Sequence, residues 1–344
     1  MAGIVEPTSA SIVITGCGWV TPFAAGRIPV VLAAAEDRSA SENPAGGYLP
    51  VPAAILEPYG DFPAETVKDR GAWMSAVAIR TAIDQAWGPV RTPSAEGGAA
   101  PASERIGMVL GCALAGQLGM IRFAGEVRAQ SPRFVSPINF PQTVGNYIAG
   151  AMARTFGFRG PNVTLGGGDA AVEALRDAEA MITGGRADAV LAGGTEECTD
   201  RLASALAGAG TRLSEGACWF VLEREASARS RGAEPLARIV RFAFPSSEPL
   251  TTPDGDTLVS AAGCRVAGAV FIEHWIGHSL AAAAPAALAA AIGAVEGCRV
   301  PTVDRLDPTM TQAASCDGRS ARKVLVIASG ADGVTARLEA QTAL

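Results

Sequence analysis

The sequence predicts an α/β protein built as a five-layered αβαβα sandwich, and three observations predict it. Short β-branched runs ending in glycine alternate with helical stretches along most of the chain. Two of those stretches, DAAVEALRDAEAMITGG and SLAAAAPAALAAAIGAVEG, carry alanine on nearly every face, the composition of an enclosed helix against which sheets can pack closely on both sides. Hydrophobic residues make up 49% of the 344 and charged residues only 18%, which supports a large core and excludes a coiled coil or a disordered chain.

Taken in order, the predicted strands are SIVITGCG (11–18), IGMVLGCA (106–113), NVTLGGG (162–168), ADAVLAGG (187–194), CWFVLE (218–223), AVFIEHW (269–275) and KVLVIASG (323–330). Apolar runs this short and continuous suit strands buried on both faces. Between them the pattern predicts helices over 65–87, 142–156, 170–184 and 279–295. The polar, proline-rich stretch FPSSEPLTTPDGD then divides the chain near residue 245, giving an N-terminal half, 1–244, and a shorter second half, 245–344.

Several function classes are excluded on composition. Net charge is −6, Lys68 and Lys323 are the only lysines among 28 basic residues, and no basic cluster emerges in the sequence, so neither nucleic acid nor an anionic membrane is an expected partner. The opening MAGIVEPTSASIVITG has neither a basic segment nor a continuous apolar one, so no signal peptide is expected. The apolar run 279–295 is interrupted by Pro285 and is too short to span a bilayer. Seven scattered cysteines (Cys17, Cys112, Cys198, Cys218, Cys264, Cys298, Cys316) lack CxxC spacing, which fits reduced cytoplasmic thiols and no zinc site. His274 and His278, the only histidines, are four apart, but Gly277 and the strand-like AVFIEHW argue against one helix face, so no metal is expected. GCGWVT lacks the third glycine of a dinucleotide fingerprint, so no cofactor is expected either.

IVITGCGWVTPF, RGPNVTL (159–165), GRADAVLAGGTEE (185–197) and SEGACWFVLE (214–223), followed by ARSRGAEPLARI, stand in an order and spacing that resemble the β-ketoacyl synthases of the thiolase fold. The resemblance covers most of 10–240 and resumes at 277–291. It implies a condensing-enzyme fold in which a cysteine at the elbow after the RGPN-type strand attacks an acyl thioester, while two histidines help decarboxylate the malonyl extender and stabilise its enolate. Here the elbow reads Gly166-Gly167-Gly168-Asp169-Ala170, with Asp169 in the cysteine's place. A carboxylate at a helix N-terminus is a weak nucleophile, and its acyl product would be a mixed anhydride less stable than the thioester. Ordinary condensation is therefore rejected, and Asp169 is read as an N-cap accepting backbone N–H bonds.

Elsewhere too the second half departs from the family. His278 matches the family's second catalytic histidine by position, Glu273 replaces the lysine five residues before it, and the HGTGT-like turn carrying the first histidine is missing. GADGVT (330–335) stands in place of the final glycine-rich turn. His278 is read as a buried histidine satisfied by a backbone carbonyl. Against a full condensing enzyme the resemblance implies a shortfall of about 60–80 residues, mainly in the second half.

A condensing-enzyme fold without its cysteine resembles a chain-length factor, the non-catalytic partner of an active ketosynthase in type II polyketide or fatty-acid-like biosynthesis. Pro132-Arg133-Phe134-Val135-Ser136 resembles the PxFVS stretch of those factors, whereas Asp169 stands where they usually carry glutamine. The resemblance implies a cytoplasmic heterodimer with an active ketosynthase, acting on acyl carrier protein only through the complex. The apolar strand Pro161, Asn162, Val163, Thr164 and Leu165 is an edge in a monomer, and antiparallel pairing with a partner would cover it, with 113–147 at the seam. Leu114, Leu118, Met120, Phe123, Phe134, Ile138, Phe140 and Tyr147 are candidates to shape an acyl tunnel, or to be packing and nothing more. Two other readings stay open: a cysteine-less decarboxylase or acyltransferase using the His278 pocket, and a purely structural partner of a ketosynthase.

Overall fold

The computed structural model describes residues 11–39, 48–89, 100–114, 116–130, 132–137, 139–206, 212–243, 257–262, 272–276, 278–303, 311–315, 323–330 and 333–342. The expected boundary near residue 245 lies outside them.

Five long strands form the N-terminal part of the sheet among the described residues: Ile12–Val20 (β1), Ile106–Cys112 (β2), Asn162–Gly166 (β3), Ala189–Glu196 (β4) and Gly216–Arg224 (β5). β2 runs parallel to β3 and β4, and β5 runs antiparallel to both β4 and β1. All of β1, β2 and β4 is buried, as their unbroken apolar runs predict. Side chains alternate between two cores: on β5, Phe220 and Leu222 enter one and Trp219 and Val221 the other. β3 differs, since it ends the strand order and none of its residues is fully buried.

Ala237–Ala243 (β6) touches β1 only at Val13↔Arg238 and Ile14↔Ala237. It pairs fully with the C-terminal strands, so that the sheet continues through Gly333–Thr342 (β9) and Lys323–Gly330 (β8) to Thr257–Ala262 (β7). The strand order is β7-β8-β9-β6-β1-β5-β4-β2-β3.

Six helices matter for the site: Ile28–Ser39 (α1), Arg70–Trp87 (α2), Gln117–Gln130 (α3), Tyr147–Phe156 (α4), Ala170–Thr183 (α5) and Ala283–Val295 (α6). α2 and α4 cover one face of the N-terminal strands. α5 and α6 pack on the other face and on each other, and they reach β9 and the β7–β8 pair respectively. Every residue of α6 is buried, as an alanine-rich central helix requires. This is the thiolase-like layering expected from the sequence. Gly16 and Gly18 let α2 lie on β1: a Cβ at these positions would sit 2.1 Å from the Ala82 carbonyl oxygen and 1.8 Å from that of Ala78. The GCG segment of β1 is thus a packing seam.

Some expected elements are corrected. The helix over 65–87 breaks at Asp69, whose backbone is extended and whose carboxylate caps α2 by accepting from Ala72 N–H at 2.8 Å. That over 142–156 begins at Tyr147, after a 3-10 turn at Phe140–Thr143. Ser279–Val295 opens as a 3-10 turn, and Pro285 falls in the first turn of α6, where no intrahelical N–H is lost. The described part of AVFIEHW is a helical turn, Glu273–Ile276, while residues 269–271 lie outside the described residues. A short continuous apolar run does not separate a buried strand from a buried helical turn, and here Ile272, Trp275 and Ile276 are all buried.

Candidate functional site

The elbow joins β3 to α5. Gly166, Gly167 and Gly168 are exposed, and Gly167 has φ +133°, a conformation that favours glycine. Asp169 occupies the N-cap position, but it accepts no side-chain capping bond. Its backbone carbonyl accepts from Val172 N–H at 2.9 Å and Glu173 N–H at 3.1 Å. The expected carboxylate cap is therefore corrected, because its φ of −94° and ψ of 0° depart from the extended conformation typical of a capping residue.

Two glycines bring the other half of the site to the elbow. A Cβ at Gly111 of β2 would lie 2.2 Å from the Ala171 nitrogen, and one at Gly194 of β4 would lie 2.9 Å from Ala282 Cα and 3.0 Å from Ala171 Cβ. The first turn of α5 and the turn preceding α6 consequently meet over bare backbone. His278 stands at that second turn. Its N–H donates to the Arg212 carbonyl at 2.8 Å and its carbonyl accepts from Ser214 N–H at 2.9 Å, a one-residue bridge to Leu213–Ser214.

The His278 ring is largely buried, and its Nδ1 lies 2.8 Å from Glu273 Oε1. The partner expected for it, a backbone carbonyl, is replaced by this carboxylate, because the Glu273–Ile276 turn folds Glu273 back onto the ring. Burial pulls the His278 pKa down, but the hydrogen bond and charge of Glu273, with the charge of Glu196, carry it above the ordinary histidine value. Asp169 is not among the charges acting on it. His274 lies on the same turn as Glu273, and no group of three metal-ligating side chains occurs among the described residues.

Glu196, at the end of β4, is the residue that sequence reasoning missed. Its carboxylate accepts from Ala113 N–H, from Leu114 N–H at 3.2 Å and from Ala281 N–H, so it fastens the end of β2 to the turn after His278. Complete burial pushes its pKa up to about 7 despite these donors. Neighbouring Glu197 is also raised to about 7, by burial and then by Asp69, and accepts from Gly71 N–H at 3.2 Å. The available signal was the pair of carboxylates closing an otherwise apolar strand in AVLAGGTEE. Glu215, further along, joins the Val51 N–H at 2.9 Å, the Cys198 N–H at 3.2 Å and Arg70 Nε at 2.6 Å.

A thiol does lie beside the elbow. Cys112 pairs with Gly166 across the sheet, and its carbonyl accepts from Gly167 N–H at 3.3 Å. Burial and then Glu196 push its pKa well up, so it is held as a neutral thiol, the opposite of an activated nucleophile.

Around β3 the expected seam residues are open: Asn162 is exposed, while Pro161, Val163, Thr164 and Leu165 are half-buried. Of the tunnel candidates, Leu118 is buried, Leu114, Phe123 and Tyr147 are half-buried, and Met120, Phe134 and Phe140 are 57%, 75% and 55% exposed. Ile138 lies outside the described residues. Phe123 and Phe140 meet edge to face at 5.7 Å, joining α3 to the 3-10 turn before α4.

With this geometry in hand, comparison with known proteins is informative. Residues 66–218 match the family model for the N-terminal domain of β-ketoacyl synthases. The chain carries a ketosynthase-like domain. It is 31% identical over 194 residues to 3-oxoacyl-[acyl-carrier-protein] synthase 2 of Vibrio cholerae, covering 48% of this chain and 47% of that one. It is also 27% identical over 266 residues to the corresponding synthase of Rhizobium meliloti, covering 67% and 63% respectively. The chain thus spans about half the length of the first of these relatives and somewhat more of the second. Among solved structures, the ishigamide ketosynthase/chain length factor aligns at TM-score 0.71 and 20% identity, over 96% of this chain and 99% of that one. A type II polyketide synthase acyl-carrier protein in complex with its ketosynthase aligns at 0.72 and 17%, over 98% and 100%. At these identities the structural likeness speaks for the ketosynthase fold alone. No described helix is long and apolar enough to cross a membrane.

Proposed function

We propose that the protein is a chain-length-factor-like subunit: it does not condense, pairs with an active ketosynthase through β3, and shapes the acyl tunnel of the pair in type II polyketide or related biosynthesis. The observation that carries this reading is the elbow, where Asp169 stands in the cysteine's place and the adjacent Cys112 is kept protonated. The exposure of β3 supports pairing. α3 supports it too, because of its fourteen residues only Leu118 and Gly119 are buried, leaving Met120 and Ile121 in solvent on the isolated chain.

The site contains a histidine that Glu273 and Glu196 make cationic more readily, which is the feature a cysteine-less decarboxylase would use. Carbon dioxide release from a malonyl thioester by the isolated protein, abolished in His278→Ala, would favour that second reading. For the main one, the test is product analysis of a reconstituted pair. Replacing Phe134 or Phe140 with alanine lengthens the product, because removing bulk at a steric stop lets the chain insert further. An unchanged product across alanine truncations of all eight candidates removes the ruler role.

A further inference from the structure

Two polar atoms on the strand beside His278 are buried without a partner. Arg212 Nη2 donates to the His274 carbonyl at 3.3 Å and to the Trp275 carbonyl at 3.1 Å, whereas its Nη1 is buried with no hydrogen-bond partner among the described residues. Ser214, 2% exposed, holds its hydroxyl in the same condition. The other unpartnered side-chain atoms among the described residues, Trp87 Nε1, Thr164 Oγ1 and Arg231 Nε, lie singly on separate elements. Buried polar atoms nearly always find a partner, so two orphans two residues apart call for a common explanation.

Both side chains leave one face of the short strand Leu213–Ser214. The bonds from His278 N–H to the Arg212 carbonyl and from Ser214 N–H to the His278 carbonyl make Leu213 the residue paired with His278. By alternation, Leu213 and His278 share one face, and Arg212 and Ser214 share the other. The Leu213 side chain is accounted for, since it packs with Cys198, Ala203 and Leu280. The opposite face holds a cation without a counterion. Arg212 is half-buried, forms no ion pair among the described residues, and has its pKa pulled down by burial alone. Glu273, the one acid on the turn that Arg212 grips, is bonded to His278. Residues 207–211 and 263–271, which flank these segments in sequence, include no acid.

We infer that Arg212 and Ser214 form a binding site for a small monocarboxylate, which accepts from Arg212 Nη1 and from the Ser214 hydroxyl. A water molecule would satisfy both donors but leave the guanidinium charge uncompensated, whereas a carboxylate neutralises it through charge-assisted bonds roughly twice as strong as neutral ones. One positive charge matches a monoanion, and a phosphate dianion would bury an excess negative charge. Because these two residues hold both backbone bonds of His278, an occupant tightens the segment that carries the histidine. It lies on the face away from the imidazole and therefore acts on the position of His278, not as a reactant at its ring.

Calorimetric titration of the full chain with sodium acetate, at constant ionic strength, tests the site, with inorganic phosphate as the second probe. Acetate should show one saturable site, weakened at least about tenfold in Arg212→Met and about threefold or more in Ser214→Ala. Arg128→Ala, at an exposed arginine of α3, should leave it unchanged. Ser214→Ala removes a single oxygen and carries the test if Arg212→Met does not fold. In the wild-type chain acetate should also slow hydrogen exchange at the His278 and Ser214 amides, and in Ser214→Ala it should slow His278 less. Absence of a saturable site, or equal acetate affinity in the wild type and the site variants, overturns the inference. Phosphate binding more tightly than acetate overturns the carboxylate class, and saturation that leaves both amides exchanging as before overturns the link to His278.

Discussion

The two flanks of the N-terminal strands differ in how their polar groups and apolar side chains are satisfied. On the β4 side, Glu196 gathers three backbone donors, His278 is bonded to Glu273, and the covering helices approach bare glycine backbone. On the β3 side, the edge strand is half-exposed, three glycines stand in solvent and Phe134, Met120 and Phe140 have little cover. The interior of the ketosynthase-like fold is thus closed by the chain's own groups, while the β3 flank is not. That pattern is expected if the inner flank is maintained by folding and the outer one by a partner.

The contrast can be broken most forcefully at Glu196. Glu196→Ala leaves the part-buried Ala113 and Leu114 N–H groups and the buried Ala281 N–H without their acceptor, and should cost about 2–3 kcal/mol of stability in denaturant unfolding. A loss below about 1 kcal/mol would mean that these donors find other partners. Gly111→Ala ranks next: its Cβ meets the backbone of α5, so about 2–3 kcal/mol should be lost, and an unchanged unfolding midpoint would contradict the close approach.

pH sharpens the same comparison. Glu196 and Glu197 sit at about 7 in the fold, against an ordinary 4.5, so between those values the native state binds more protons than the unfolded chain. Their contribution is fully present below pH 4.5 and is lost as pH rises through about 7. His278, also raised, acts in the same direction: its contribution is present below 6.5 and lost as pH climbs through its folded value. Melting should therefore occur at a higher temperature at pH 6 than at pH 8, a difference on the order of 1–3 kcal/mol that shrinks in Glu196→Ala. A flat or reversed profile contradicts the buried carboxylates.

On the open flank the expected effects on the isolated chain are small. Phe134→Ala should change its stability by less than about 0.5 kcal/mol, since little area is buried there.

Much of the interior was legible in the sequence because burial on both faces leaves a continuous apolar run, as in IVITGCGWV and AVLAGGTE, and a central helix leaves alanine on every face, as in α6. The elbow was legible through the resemblance of RGPNVTL, whereas β3, grouped with the other apolar runs as buried on both faces, is half-exposed. The 3-10 turn before α4 and the break at Asp69 were not, since both depend on hydrogen bonds formed locally against the apolar rhythm. Nor was the His278–Glu273 pair, whose partners meet only because residues 273–276 coil. Glu196 was hidden by its type, because a carboxylate closing a strand reads as a surface residue until the donors around it are seen.

The central claim is that this chain lends its open flank to an active ketosynthase and performs no condensation itself. Native mass spectrometry of the chain co-expressed with candidate ketosynthases, in the presence of an acyl thioester, tests it most directly. The account predicts a one-to-one complex in which only the partner gains acyl mass, and which Thr164→Pro disperses. Recovery solely as a homodimer, or acyl mass on this chain, would contradict it.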